Sequence, residues 1–283
     1  MPDASTPTGV RTEPDPVPEP TQHDFVQYLQ LVSGDTQHLC QAETPDWFGP
    51  VLFGGYAIAQ AVMALHQGAP DNRRLHSLHA YFLRPALAGA TTTFDVRTLR
   101  EGRTFTSRRA IASQAGKATL DMTGSLTADT DGYVYALAPQ VPIVERNDAK
   151  VVHGSGPWIA ERIGPTEVRA DGTRASTHRM WCKLPDALPN DLALHAACLA
   201  FATDWTDTGG RPLHLDGDTT GMISLDHAIW FHRPARADEW LFYDVHSLVN
   251  AGGRGMLRGA MHNEAGHVII SVAQEMKLTE VAP

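Results

Sequence analysis

The chain has 283 residues, 42% of them apolar and 19% charged, with a formal net charge of −9. That length allows one pseudo-symmetric unit or two domains with a large core, and the composition lies far from the low-hydrophobicity regime that keeps a chain disordered. The acidic balance lacks the basic footprint of a nucleic-acid binder, and no run approaches the roughly 18 apolar residues of a membrane span.

Residues 1–24 carry six prolines and five acids against one arginine, without apolar periodicity or the basic-then-apolar pattern of a secretory signal. They are expected to form a disordered tail. An N-terminal folded half follows over 25–127. Its helix, over 56–65 (YAIAQAVMAL), is apolar on nearly every side, and β-type runs follow at about 75–84, 90–100, 104–115 and 118–127. Residues 128–178 contain Pro139, Pro142, Pro157 and Pro165 and are expected to form a surface linker whose short apolar pieces, such as Trp158-Ile159-Ala160, pack against the sheets. A C-terminal half over 179–283 repeats the plan. A helix at 192–202 (LALHAACLAFA) begins after a Pro-Asn-Asp start signal, and runs follow at about 222–233, 239–249, 255–264 and 267–278.

The two halves are related by an internal repeat. Ala80–Pro85 (AYFLRP) matches Ile229–Pro234 (IWFHRP), Phe94-Asp95-Val96 matches Tyr243-Asp244-Val245, and Arg109 matches Arg258, all at an offset of 149. Gly116 and Gly266 continue the match with one inserted residue. A helix apolar all round must be enclosed. One long helix wrapped by a curved antiparallel sheet, twice over, is an α+β double hotdog, with two sheets edge to edge.

Familiar catalytic motifs are missing from the sequence: G-x-S-x-G, a P-loop, H-E-x-x-H and G-x-G-x-x-G. Gly252-Gly253-Arg254-Gly255 sits between two strand candidates and reads as a hairpin turn. Cys40, Cys182 and Cys198 are odd in number and lack C-x-x-C spacing, so reduced thiols in a cytoplasm are expected, with no metal and no cofactor. His76, His79, His227 and His232 have no acidic ligand set beside them and read as core or hydrogen-bonding histidines. The chain ends Val281-Ala282-Pro283, without a Ser-Lys-Leu type signal.

Several stretches in order, from Phe53-Gly54-Gly55 through His76–Pro85 (HSLHAYFLRP), Val96–Arg103, Leu225-Asp226-His227, Trp230–Pro234 and Ala273-Gln274-Glu275, resemble the acyl-CoA thioesterase II family. The resemblance implies a double hotdog that hydrolyses fatty acyl-CoA to fatty acid and CoA, with an Asp, a Thr or Ser, and a Gln holding the attacking water. Matched position by position, these are Asp204, Ser224 and Gln274. The residue after the glycine pair, often Gln in the family, is Tyr56 here, and Ser224 stands where some relatives have Thr. Exposed sheet edges and the family's habits imply a homo-oligomer.

The residues themselves are compatible with that assignment. Asp204 ends an apolar helix, where an enclosed carboxylate needs donors. Gln274 keeps strand register with Val268, Ile270, Val272 and Met276, which places an amide on an apolar face. Ser224 lies near the start of the strand after the helix. The plain alternatives are a helix-end Asp as punctuation, a Gln at a solvated edge and a turn Ser. Gly54 and Gly55, at a helix start, are candidates for oxyanion or acyl contact. Two other functions stay open: an enoyl-CoA hydratase using an Asp and a His, for which Asp71 and His76 have D-x-x-x-x-H spacing, and a non-catalytic acyl-CoA-binding module.

Overall fold

The computed structural model describes residues 20–34, 38–47, 49–70, 72–128, 132–133, 146, 149–153, 156–163, 177–205 and 220–280. The elements run in chain order as α1 (Gln22–Gln27), β1 (Val32–Ser33), β2 (Leu39–Glu43), α2 (Gly54–His66), β3 (Arg74–Phe82), β4 (Thr91–Glu101), β5 (Phe105–Gln114) and β6 (Lys117–Thr127). They continue as β7 (Ala149–His153), β8 (Ile159–Ile163), β9 (Thr177–Lys183), α3 (Leu192–Thr203), β10 (Thr220–Ser224), β11 (Asp226–Phe231), β12 (Leu241–Ala251), β13 (Arg254–Asn263) and β14 (Val268–Glu280).

Both expected helices and all eight expected strands are present, and β3 to β6 repeat as β11 to β14. The hairpin between β12 and β13 turns at Gly252 and Gly253, with φ of 58° and 71°. Positive φ at both central residues suits a tight hairpin, and glycine adopts it without steric cost. Asp191 starts α3 as the proline-flanked signal predicts, its carboxylate accepting from the amides of Ala193 and Leu194.

The strands form one sheet in the order β1-β2-β4-β5-β6-β3-β11-β14-β13-β12-β9-β8-β7, with β10 also on β14. The halves join edge to edge through β3 and β11, where His227 pairs with Ala80 and Ile229 with Leu78. Both helices lie in the concavity and pack against each other: Gly55 at the start of α2 meets Phe201 near the end of α3, and His66 at the end of α2 feels the charge of Asp191 at the start of α3. The helices are therefore antiparallel. Ile58, Ala61, Val62 and Leu65 of α2 and Ala197, Cys198, Phe201 and Ala202 of α3 are fully enclosed, as their all-round apolar sequences require.

Two boundary expectations need correction. The tail up to residue 19 lies outside the described residues, but residues 20–24 are folded: Thr21 and Asp24 form a capping box on α1, and buried Gln22 exchanges two hydrogen bonds with the Asp186 backbone. The described parts of 128–178 also do more than cross the surface. β7 and β8 extend the sheet beyond β9, and Trp158 packs into the core against Phe201 and Trp205. Proline spacing does not reveal strands whose partners, β9 for β8 and β8 for β7, are added outward from β12.

Because β3 and β11 are central in one sheet and the helices bury each other, neither half is expected to fold alone. A fragment starting at residue 180 exposes the β11 edge and the apolar side of α3. It should aggregate or lack a cooperative melting transition, and a well-folded monomer by calorimetry and sedimentation would contradict this architecture.

Candidate active site

Gln274 stands on β14 on the face shared by Ile270, Val272 and Met276, and it is fully buried. Its Nε2 donates to Asp204 Oδ1 at 2.7 Å and to Ser224 Oγ at 2.8 Å. The three residues expected from the sequence thus meet around one amide, although 70 residues separate Asp204 from Gln274. A carboxamide NH2 has two donors and here both are engaged. Gln274 therefore clamps the other two groups together.

Asp204 is the C-cap of α3, and its carboxylate is almost wholly buried. Two donors reach it: the Gln274 amide and the backbone N–H of Gly55. Burial outweighs both and pushes its pKa up from 3.8 to about 7. The carboxylate lies at the negative end of its own helix but against the positive end of α2. Phe53, the N-cap of α2, provides no side-chain cap, so Asp204 serves as one from the other half.

The glycine pair permits this approach. A Cβ on Gly54 would lie 2.7 Å from Asp204 Oδ2, and one on Gly55 would lie 2.6 Å from Phe201 O. Tyr56 points elsewhere: its hydroxyl donates to Phe25 O at 3.0 Å, and its ring packs on Phe25 and Phe201.

His227, expected from the sequence to be a core or hydrogen-bonding histidine, sits fully buried with Nδ1 3.9 Å from Asp204 Oδ1. A β-bulge places it there. Ser224 pairs with Met276 and Ala228 with Ala273, so the three residues Leu225, Asp226 and His227 stand against only two, Gln274 and Glu275. Regular alternation puts residues three apart on opposite faces, and the extra residue brings Ser224 and His227 to the same side. Its one sequence signal is adjacency to Ser224 in Leu225-Asp226-His227. The other histidines are not at the site: His76 bonds Ser125, His79 packs on Trp230, and His232 bonds Ser271. Asp71, the partner proposed for His76, lies outside the described residues. Among the described residues no group of three or more His, Cys, Asp or Glu could hold a metal ion.

The first half keeps the same bulge, between Leu75 and Ser77, but not the chemistry. At the repeat offset of 149, Ser224 corresponds to Leu75 and His227 to Leu78, and beyond the one inserted residue Gln274 corresponds to Gly124. A Cβ on Gly124 would already lie 2.4 Å from Leu65 Cδ1, so an amide has no room there. Arg108, opposite Gly124 in the ladder, instead binds the carbonyls of Leu65 and Gln67 at the end of α2. Among the described residues, the carboxylate, amide and hydroxyl meet at only one of the two helix-end junctions.

Comparison with known proteins agrees with this asymmetric pair. The family model described as acyl-CoA thioesterase matches residues 156–277, and that of the acyl-CoA thioesterase N-terminal domain matches 44–127. Acyl-CoA thioesterase 2 of Haemophilus influenzae is 32% identical over 277 residues, covering 89% of this chain and 96% of its own. The crystal structure of acyl-CoA thioesterase II TesB2 from Mycobacterium marinum superposes with a TM-score of 0.76 at 28% identity, covering 90% of this chain and 96% of that one. A hot dog fold protein of Alicyclobacillus acidocaldarius shares the fold at 15% identity, with a TM-score of 0.75 and coverage of 93% and 100%. With two tandem hotdogs, both family models in order and an end-to-end relative, this chain belongs to the acyl-CoA thioesterase II family.

Proposed function

We propose that this chain hydrolyses fatty acyl-CoA by direct attack of a water molecule that Asp204 deprotonates and Ser224 holds, with Gln274 locking both. The observation that carries this reading is the buried Gln274 amide bridging a carboxylate and a hydroxyl. A base works best with a pKa near the working pH, and burial brings Asp204 to about 7. Since Ser224 Oγ accepts from Gln274, its own proton is left to donate to the water. A covalent serine route lacks a base: the described contact of Ser224 is a donor amide, and His227 Nε2 is engaged by the Thr203 hydroxyl. Gly55 N–H is held by Asp204, so of the glycine pair Gly54 is the remaining amide for the developing oxyanion.

The assignment to a reducing cytoplasm is supported by three buried, free cysteines. A homo-oligomer is supported by exposed Tyr81 and Trp230 on the outer side of the β3–β11 seam.

Thiol release from acyl-CoA, followed with a thiol reagent, tests the activity. Turnover should rise with pH and level off above about 7, as Asp204 loses its proton. No burst of thiol should precede the steady state, and Ser224→Ala should keep more activity than Gln274→Ala, which loosens two groups at once. An acyl-enzyme burst abolished by Ser224→Ala would replace this mechanism with a covalent one. Consumption of an enoyl thioester without thiol release would point to a hydratase, and binding without either to a non-catalytic module.

A further inference from the structure

Thr203, the last residue of α3, is fully buried beside Asp204. Its hydroxyl lies 2.7 Å from Ala200 O and 2.9 Å from His227 Nε2. A hydroxyl has one proton, and a carbonyl can only accept. The Asp204 amide, the regular helical donor for Ala200 O, turns to Phe201 O instead, so the Thr203 proton goes to Ala200 O. His227 Nε2 must then carry a proton and donate it to Thr203. In a neutral imidazole this leaves Nδ1 as a bare lone pair, and that buried atom faces Asp204 Oδ1 at 3.9 Å without a well-formed hydrogen bond of its own.

We propose that His227 is a positioning residue: Thr203 fixes its proton on Nε2, so the Nδ1 lone pair faces the site and keeps the NH2 of Gln274, rather than its carbonyl, turned toward Asp204 and Ser224. The inference rests on the hydrolytic role assigned to Asp204 above. Gln274 Nε2 touches a carboxylate and a hydroxyl oxygen, and the His227 imidazole stands beside the same carboxylate and interacts with the Gln274 side chain. With the lone pair inward, all three favour a donor at that point. With a proton on Nδ1, the imidazole would oppose the NH2 and favour the flipped amide, whose oxygen would confront the carboxylate. A lone pair facing Asp204 also disfavours charge on that carboxylate.

The neighbouring groups leave this relay intact. Burial lowers the His227 pKa to about 4, so the ring stays neutral while Asp204 titrates. Tyr243 from β12 stays neutral beside Asp204, because burial and then the Asp204 charge raise its pKa, and its hydroxyl donates to Thr203 O at 2.7 Å. Asp226 accepts from the Glu275 amide, and the Glu275 carboxylate pairs with Arg254. From α2, Gly54 and Gly55 bring backbone but no charged side chain.

The test is Thr203→Val, which keeps the branched shape and removes the acceptor. The imidazole proton is then free to move to Nδ1 and donate toward Asp204. Turnover should fall roughly ten- to hundredfold as the clamp loosens, and the pH of half-maximal turnover should move down by about one unit, because a donor now favours the carboxylate. Thr203→Ser, which restores the hydroxyl, should return both values toward wild type. Nitrogen-15 NMR of the ring in the unsubstituted protein should show the Nε2-protonated tautomer, a readout independent of activity. An Nδ1-protonated ring, or a folded Thr203→Val protein with the wild-type pH limb, would overturn the proposal. Retained turnover in Asp204→Asn would overturn the base assignment instead and leave the tautomer result standing.

Discussion

Replacing Asp204 by asparagine is expected to lower the turnover number by roughly 10² to 10⁴, the usual worth of a general base. The substitution keeps size and an acceptor for Gln274 but removes the charge that takes the water's proton. Its effect on stability should depend on pH. The folded-state pKa of Asp204 is raised from 3.8 to about 7, so between these values the folded protein holds a proton that the unfolded chain has released. Stability contributed by this group is therefore present at low pH, is lost as pH rises toward about 7, and is constant above that. The total is on the order of a few kcal/mol. Asparagine has no such dependence. Melting temperatures at a series of pH values from 5 to 9 should show the variant gaining on the wild type up to about 7 and running parallel beyond. A difference that does not change with pH, or wild-type turnover in the folded variant, would remove Asp204 from the role of base.

Gly54→Ala should be nearly as damaging to catalysis, although it adds one methyl group and touches no titrating proton. The new Cβ would lie 2.7 Å from Asp204 Oδ2 and 3.1 Å from the Phe82 ring. Either the carboxylate shifts away from the clamp or α2 moves off the end of α3. A displacement near 1 Å at a reacting group costs about a hundredfold in rate, and this loss should appear in kcat with little change in KM. Overpacking should also destabilise the fold by about 1–3 kcal/mol. Gly68→Ala is the control, since nothing lies within 4 Å of a Cβ there; its positive φ of 70° costs some stability but leaves the site alone. Equal turnover in Gly54→Ala and wild type would mean that the carboxylate does not stand where these distances place it.

Much of this architecture is legible along the chain. The 149-residue offset, two helices apolar on every side and eight alternating runs together specify two copies of one helix-in-sheet unit, because burial writes its period directly into each element. Gln274 was visible for the same reason: an amide in register with Ile270, Val272 and Met276 must face the core. The roles of Asp204, Ser224 and Gln274 came from the family resemblance, and the residues alone left them open as punctuation, a turn and a solvated edge.

Other features depend on contacts between distant segments, and periodicity carries no record of those. The antiparallel helices bring Gly55 of one half to Asp204 of the other and turn a helix-end aspartate into a trans cap. The bulge between Ser224 and Ala228 reverses the face on which His227 lies, and a one-residue register shift leaves no trace in composition. Thr203 reads as the last residue of an apolar helix until His227 arrives beside it. β9 adds to the sheet on the edge of β12, and β8 and β7 follow in turn on β9 and β8. Local sequence thus set which surfaces had to be buried, while the meeting of two helix ends across the seam determined which buried polar groups face one another, and with them the chemistry.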